Sequence, residues 1–170
     1  MSPALIRPAT AGDVRALVAI EAAAAERFRA IGMDEVADRG GMDTGFAASF
    51  VTGGLALVAE IEGTPVGFAL ASSLDGLGHL YELSVHPAFG RQGIGTALLE
   101  AVCAAAREAG LALMTLSTFR TVPWNAPFYA RLGFAELPPE RWTPGLQVLH
   151  QRERDAGLGG GARLFMAREP

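Results

Sequence analysis

The chain contains no lysine; all 14 of its basic residues are arginine. It has one cysteine, Cys103, so no disulfide forms within it, and that pattern points to a reducing compartment. Cys103 lies in "LLEAVCAAAREAG" among helix formers, the setting of a small buried hydrophobe rather than a nucleophile. Charge is sparse as well. Only 19% of residues are charged and the net charge is −4, which leaves no basic face for nucleic acid. No uncharged apolar run approaches the ~18–20 residues of a membrane span. The opening "MSPALIRPATAGD" lacks the basic and then apolar regions of a secretory leader. These absences predict a soluble cytoplasmic protein with no nucleic-acid or membrane partner.

What is present suits a single globular domain over residues 1–170, half of it apolar. "ALIRP" reads as a strand, and "TAGDVRALVAIEAAAAERF" as a helix that Thr10 or Asp13 caps and that buries Val14, Leu17, Val18 and Phe28. Residues 29–54 are Gly-rich and acidic, and are expected to form a mobile connection with one or two short helices rather than a core element. "LALVAEIEGTPVGFALASSLDG" reads as a hairpin and "HLYELSVHP" as a third strand. A helix over 92–109, the strand "LALMTLSTF", a short helix in "PWNAPFYARLG", the strand "FAELP" and a last strand over 163–167 follow. Hairpin strands followed by a strand–helix–strand crossover predict an α/β (α+β) fold with a mixed, largely antiparallel sheet and one parallel step.

Between the third strand and the long helix stands "GRQGIGT". A helix N-terminus exposes unpaired N–H groups with a partial positive charge, and glycines let a ligand approach the backbone. Arg91 adds a full charge and Thr96 a hydroxyl. A P-loop needs a lysine, which the chain lacks. A dinucleotide fingerprint needs a third glycine where Leu98 stands. An anion held by backbone amides and one arginine remains, which suits a pyrophosphate bound without metal.

"SVHPAFGRQGIGTALLEAV" resembles the acetyl-CoA-binding motif of the GNAT superfamily of acyl-CoA-dependent N-acyltransferases. "NAPFYARLGF" is similar to the later N…Y-x-x-x-G-F element of that family. The motif's usual Gln/Arg position falls on Gly90, with Arg91 and Gln92 one and two places later, and Asn125 stands closer to Tyr129 than is usual. The resemblance implies a sheet of about six to seven strands flanked by helices, with a splayed parallel pair formed by "LYELSVHP" and "LALMTLSTF". The pantetheine arm of acetyl-CoA, the acyl-donor cosubstrate, would lie along that pair as a further strand. It implies cofactor contacts from Leu83, Ser84, Val85, Gly90, Arg91, Gln92, Gly93, Ile94, Gly95, Thr96 and Asn125. Those of 83–85 would be main-chain, with the amide near Val85 polarising the thioester carbonyl.

Two side chains carry the expected chemistry. A primary alkylamine has a pKa near ~10.4 and must lose a proton before it attacks. Glu82 interrupts an apolar strand where the family often has an acidic residue, and is the candidate base. The leaving thiolate needs a proton donor, and Tyr129 fits by motif and by chemistry. His79 is an alternative relay, His86 a turn residue, and His150 has no motif context. Asp34, Glu35, Asp38 and Asp43 outnumber Arg29 and Arg39 in the segment that would set acceptor choice. The acceptor stays open between a small-molecule amine and a peptide amino group. Phe28, Phe46 and Phe50 either line its cleft or pack. The expected activity is acetyl transfer by direct attack in a ternary complex. A non-catalytic acyl-CoA-binding module and an enzyme for longer acyl-CoA are the alternatives, and a homodimer is open to such a sheet edge.

Overall fold

The computed structural model describes residues 3–158 and 161–170. Seven strands, β1 (Leu5–Pro8), β2 (Leu55–Ile61), β3 (Thr64–Leu74), β4 (Leu77–Val85), β5 (Met114–Phe119), β6 (Ala135–Glu136) and β7 (Arg163–Arg168), lie in the order β1-β2-β3-β4-β5-β7-β6. Helices are α1 (Val14–Ala25), α2 (Asp34–Ala37), α3 (Thr44–Gly53), α4 (Ile94–Glu108), α5 (Ala126–Arg131) and α6 (Pro144–Asp155). The mixed sheet is mostly antiparallel and is parallel where β4 meets β5, as the sequence predicts. The chain forms two compact units. One runs to Ser72 and includes Glu82–Val102; the other joins Ser73–Tyr81 to Cys103–Pro170.

In the first unit, β2 pairs antiparallel with both β1 and β3. Glu62 and Gly63 both take positive φ, the backbone of a two-residue turn that matches strand twist. The core joins Val14, Leu17 and Ile20 of α1, Phe50 of α3, Val58 and Phe68 of the strands, and Leu98 and Leu99 of α4. The segment 29–54 departs from the expected mobile connection. Asp43 accepts the Phe46 N–H at 2.8 Å and caps α3, which packs on α1 and buries Ala47 and Phe50. Two buried residues one helical turn apart make α3 a core element.

In the second unit, β5 and β6 both pair antiparallel with β7. Helix α4 ends on Gly110 (φ +72), where the Gly110 N–H reaches Arg107 O at 3.0 Å and the Leu111 N–H reaches Ala106 O at 3.0 Å. That paired bonding closes a helix C-terminus. It holds Leu111 in the cap, so β5 starts at Met114 rather than at Leu111 as the sequence predicts. Helix α6 is an element the sequence reading leaves out. Leu146 packs there with Leu137 and Phe165 against Leu74, Trp142 and Leu149. Cys103 is fully buried, as expected of a core residue.

Candidate active site

The first unit carries the residues from Glu82 to Thr96. Glu82 is half-buried on β4, and its Oε1 accepts the Ser84 hydroxyl at 2.9 Å. The two share a face because strand side chains alternate. Ser84 is 8% exposed. Gly67 of β3 lets this backbone come close: a Cβ there would lie 3.1 Å from Ser84 O and 3.3 Å from Ile94 Cγ2. The His86 N–H then donates to Val66 O at 2.8 Å, and His86 Nδ1 accepts the Ala88 N–H at 3.3 Å. His86 is thereby a turn residue, as the sequence suggests.

Leaving that turn, Gly90 is extended, Arg91 has φ +58 and Gly93 φ +80. Left-handed backbone costs a non-glycine residue roughly 1 kcal/mol or more. Arg91 therefore accepts strain to make the turn, with its side chain in solvent. The Ala97 N–H bonds to Gly93 O at 2.9 Å, so Gly93 is the cap of α4. By helix geometry the amides of Gly93, Ile94, Gly95 and Thr96 have no acceptor within the helix. Four N–H groups at the positive end of a 15-residue helix, next to an exposed arginine, make an anion cradle.

The second unit carries Asn125 and Tyr129 at opposite ends of the first turn of α5. Asn125 N–H donates to Val122 O at 2.9 Å, and Asn125 O accepts the amides of Phe128 and Tyr129. Its side chain does not cap the helix, and Oδ1 is buried with no hydrogen-bond partner among the described residues. A buried carbonyl oxygen without a donor is costly, and a ligand N–H would satisfy it. Tyr129 is 7% exposed, its ring edge-on to Phe128 at 5.1 Å and to Phe134 at 5.8 Å. This packing fixes the ring direction.

His79 is set up differently from a proton relay. It is 3% exposed, and burial lowers its pKa to about 4. The Thr115 hydroxyl donates to Gly78 O at 2.8 Å, so its oxygen accepts from His79 Nδ1, also at 2.8 Å. That network assigns the proton to Nδ1. His79 is a neutral core residue. His150 lies on α6 against Trp142, ring centres 4.8 Å apart. The acidic segment is also partly spent: Arg29 pairs with Glu26, Asp34 and Asp38, and Asp43 serves as a cap. Phe50 packs in the core with Phe46 edge-on at 5.0 Å, while Phe46 itself is 41% exposed. One pair the sequence gives no reason to single out is Arg163 on β7 with Ser117 on β5, which strand pairing brings close enough for Arg163 Nη2 to donate to Ser117 O at 3.1 Å.

Solved structures share the fold over nearly the whole length. PaiA N-acetyltransferase from Thermoplasma acidophilum, in complex with coenzyme A, matches with TM-score 0.72 at 16% identity, covering 100% of both chains. A GCN5-related N-acetyltransferase from Rhodopseudomonas palustris matches with TM-score 0.73 at 24% identity, covering 100% of this chain and 98% of that one. Ribosomal-protein-alanine N-acetyltransferase from Brucella melitensis matches with TM-score 0.68 at 23% identity, covering 98% of this chain and 99% of that one. The family model of the acetyltransferase (GNAT) family matches residues 18–134, well over half of the sequence, and the chain belongs to that family.

Proposed function

We propose that the chain is a single N-acetyltransferase domain that moves the acetyl group of acetyl-CoA to a primary amine by direct attack in a ternary complex. The observation that carries this reading is the anion cradle at the start of α4, with Gly93 as cap and Arg91 beside it. The coenzyme's diphosphate suits it, and the coenzyme A complex of the Thermoplasma acidophilum protein, which shares the fold, supports the same ligand. Gly90, Arg91, Gln92 and the amides of Gly93, Ile94, Gly95 and Thr96 would hold the diphosphate. The backbone of Leu83, Ser84 and Val85 would hold the pantetheine arm. Asn125 Oδ1, buried without a donor among the described residues, would accept one of its amide N–H groups.

In the reaction, Glu82 takes a proton from the alkylammonium, directly or through water, and the freed lone pair attacks the thioester carbonyl. The amide near Val85 stabilises the oxyanion. When the C–S bond breaks, the Tyr129 hydroxyl gives its proton to the thiolate. The acetylated nitrogen releases its second proton to solvent. Charge in the acceptor region does not select between a small amine and a peptide amino group, because Arg29 offsets much of the acidic excess.

The test is a thiol-release assay with acetyl-CoA and panels of amines and peptides. Amine-dependent release is expected. Tyr129→Phe should lower kcat about a hundredfold, the scale of general acid catalysis, with acetyl-CoA affinity unchanged. Glu82→Gln should depress kcat most at neutral pH, the deficit narrowing toward pH ~10, where the amine deprotonates unaided. Unchanged turnover in either variant removes that residue's role. Coenzyme binding with no release from any acceptor would instead favour a binding module.

A further inference from the structure

Within the second unit, Arg168 is the last residue of β7 and grips the turn that follows α5. In the β6–β7 pairing Ala135 lies opposite Ala167, so one step outward Phe134 meets Arg168. Opposite residues of an antiparallel pair share a face. The Arg168 guanidinium accordingly lies over the Phe134 ring, 5.1 Å from its centre, and Phe134 is 3% exposed. Arg168 Nη1 donates to Leu132 O at 2.6 Å, a charge-assisted bond to a carbonyl at the end of α5.

Gly133 stands between those two contacts. Its φ is +87, and a Cβ there would come 3.3 Å from Arg168 Cδ. A side chain at this position would meet both a strained backbone and the arginine stem. The glycine of "YARLGF" therefore lets the arginine of β7 reach the turn.

What Arg168 grips is tied to Tyr129. Tyr129 O accepts the Leu132 N–H at 3.0 Å and the Phe134 N–H at 3.1 Å, and the Phe134 ring meets the Tyr129 ring edge-on at 5.8 Å. Leu132 and Phe134 thus hold both the main chain and the ring of Tyr129, and Arg168 touches each of them. Helix α5 has only six residues, too few to be stable by its own hydrogen bonds. Its direction is set by what packs on it.

We propose that Arg168 is a positioning residue for Tyr129: by clamping Leu132 O and the Phe134 ring from β7, it fixes the direction in which the Tyr129 hydroxyl points. This rests on the acid role given to Tyr129 under Proposed function. An acid must stay aligned with the leaving sulfur, and a displacement of about 1 Å can cost roughly a hundredfold in rate.

A double-mutant cycle and amide hydrogen exchange test the clamp. Arg168→Met keeps an aliphatic stem over Phe134 and removes the guanidinium. Arg168→Lys keeps a charged donor for Leu132 O without the planar face. Arg168→Met should lower kcat about tenfold and Arg168→Lys about threefold, with KM for acetyl-CoA nearly unchanged. In a Tyr129→Phe background, Arg168→Met should change kcat less than about twofold, because the group being aimed is already gone. Exchange at the Leu132 and Phe134 amides should quicken at least about threefold in Arg168→Met, with α6 amides unchanged. Wild-type kcat in Arg168→Met, an equal kcat loss in both backgrounds, or unchanged exchange at those two amides overturns the proposal. Wild-type turnover in Tyr129→Phe, with exchange quickened as expected, would instead remove the acid role of Tyr129 and with it the positioning role, leaving a clamp that serves the fold alone.

Discussion

At the scale of single residues, the informative atoms are those held against their own preference. Arg91 sits in left-handed backbone, and Asn125 buries an oxygen that has no donor among the described residues. Both cost stability, and such costs collect where a ligand offsets them. Arg91→Gly separates the two contributions. Glycine relieves the backbone strain but adds unfolded-state entropy, so stability should stay within about 1 kcal/mol of wild type. Loss of the guanidinium should weaken coenzyme A binding about tenfold, roughly 1.4 kcal/mol. Thermal melts and calorimetry check both. A large drop in Tm with unchanged affinity would make Arg91 a turn residue only.

At the scale of elements, α6 shows what a sequence signal needs. Its start is written locally: Thr143 accepts the Leu146 N–H, and Pro144 stands at the first helical position. Its apolar pattern is thin, however, with Leu146 fully buried and Val148 51% exposed, so periodicity gave no reason to read a helix through "LQVLHQRERD". The missing anchor is not local. Asp75, in the turn between β3 and β4, accepts the Gly145 N–H at 2.6 Å across 70 residues of sequence. By contrast, α4 and the loop before it were legible, since glycine, capping geometry and a strong apolar stripe all act within a few residues. Ser117 and Arg163 were not, because only the pairing of β5 with β7 brings them within hydrogen-bond distance. Thr143→Ala should cost about 0.5–1 kcal/mol. Asp75→Ala should speed amide exchange in the first turn of α6 and lower Tm, with exchange in α1 unchanged. Equal effects on both helices would contradict the anchor.

At the scale of the whole molecule, acid should act in two stages. Burial lowers the pKa of His79 from 6.5 to about 4, so the unfolded chain binds that proton first. The corresponding stability, roughly 3 kcal/mol, is fully present above pH 6.5 and is lost as pH falls toward 4. Below that, Asp13 takes over. The Arg7 guanidinium, at 2.8 and 2.9 Å, holds its carboxyl well below the usual carboxylate range, and its stabilisation is lost as pH falls from about 4. Urea melts at pH 7 and pH 4.5 should therefore show a smaller pH effect in His79→Gln than in wild type. Parallel pH dependences would mean that the imidazole is not the first group to fail.

Coenzyme recognition underlies the functional reading, and a crystal of the chain soaked in coenzyme A measures it most directly. Diphosphate oxygens are expected within hydrogen-bond distance of the amides of Gly93, Ile94, Gly95 and Thr96. A diphosphate seated elsewhere, with those four amides facing only solvent, would contradict it.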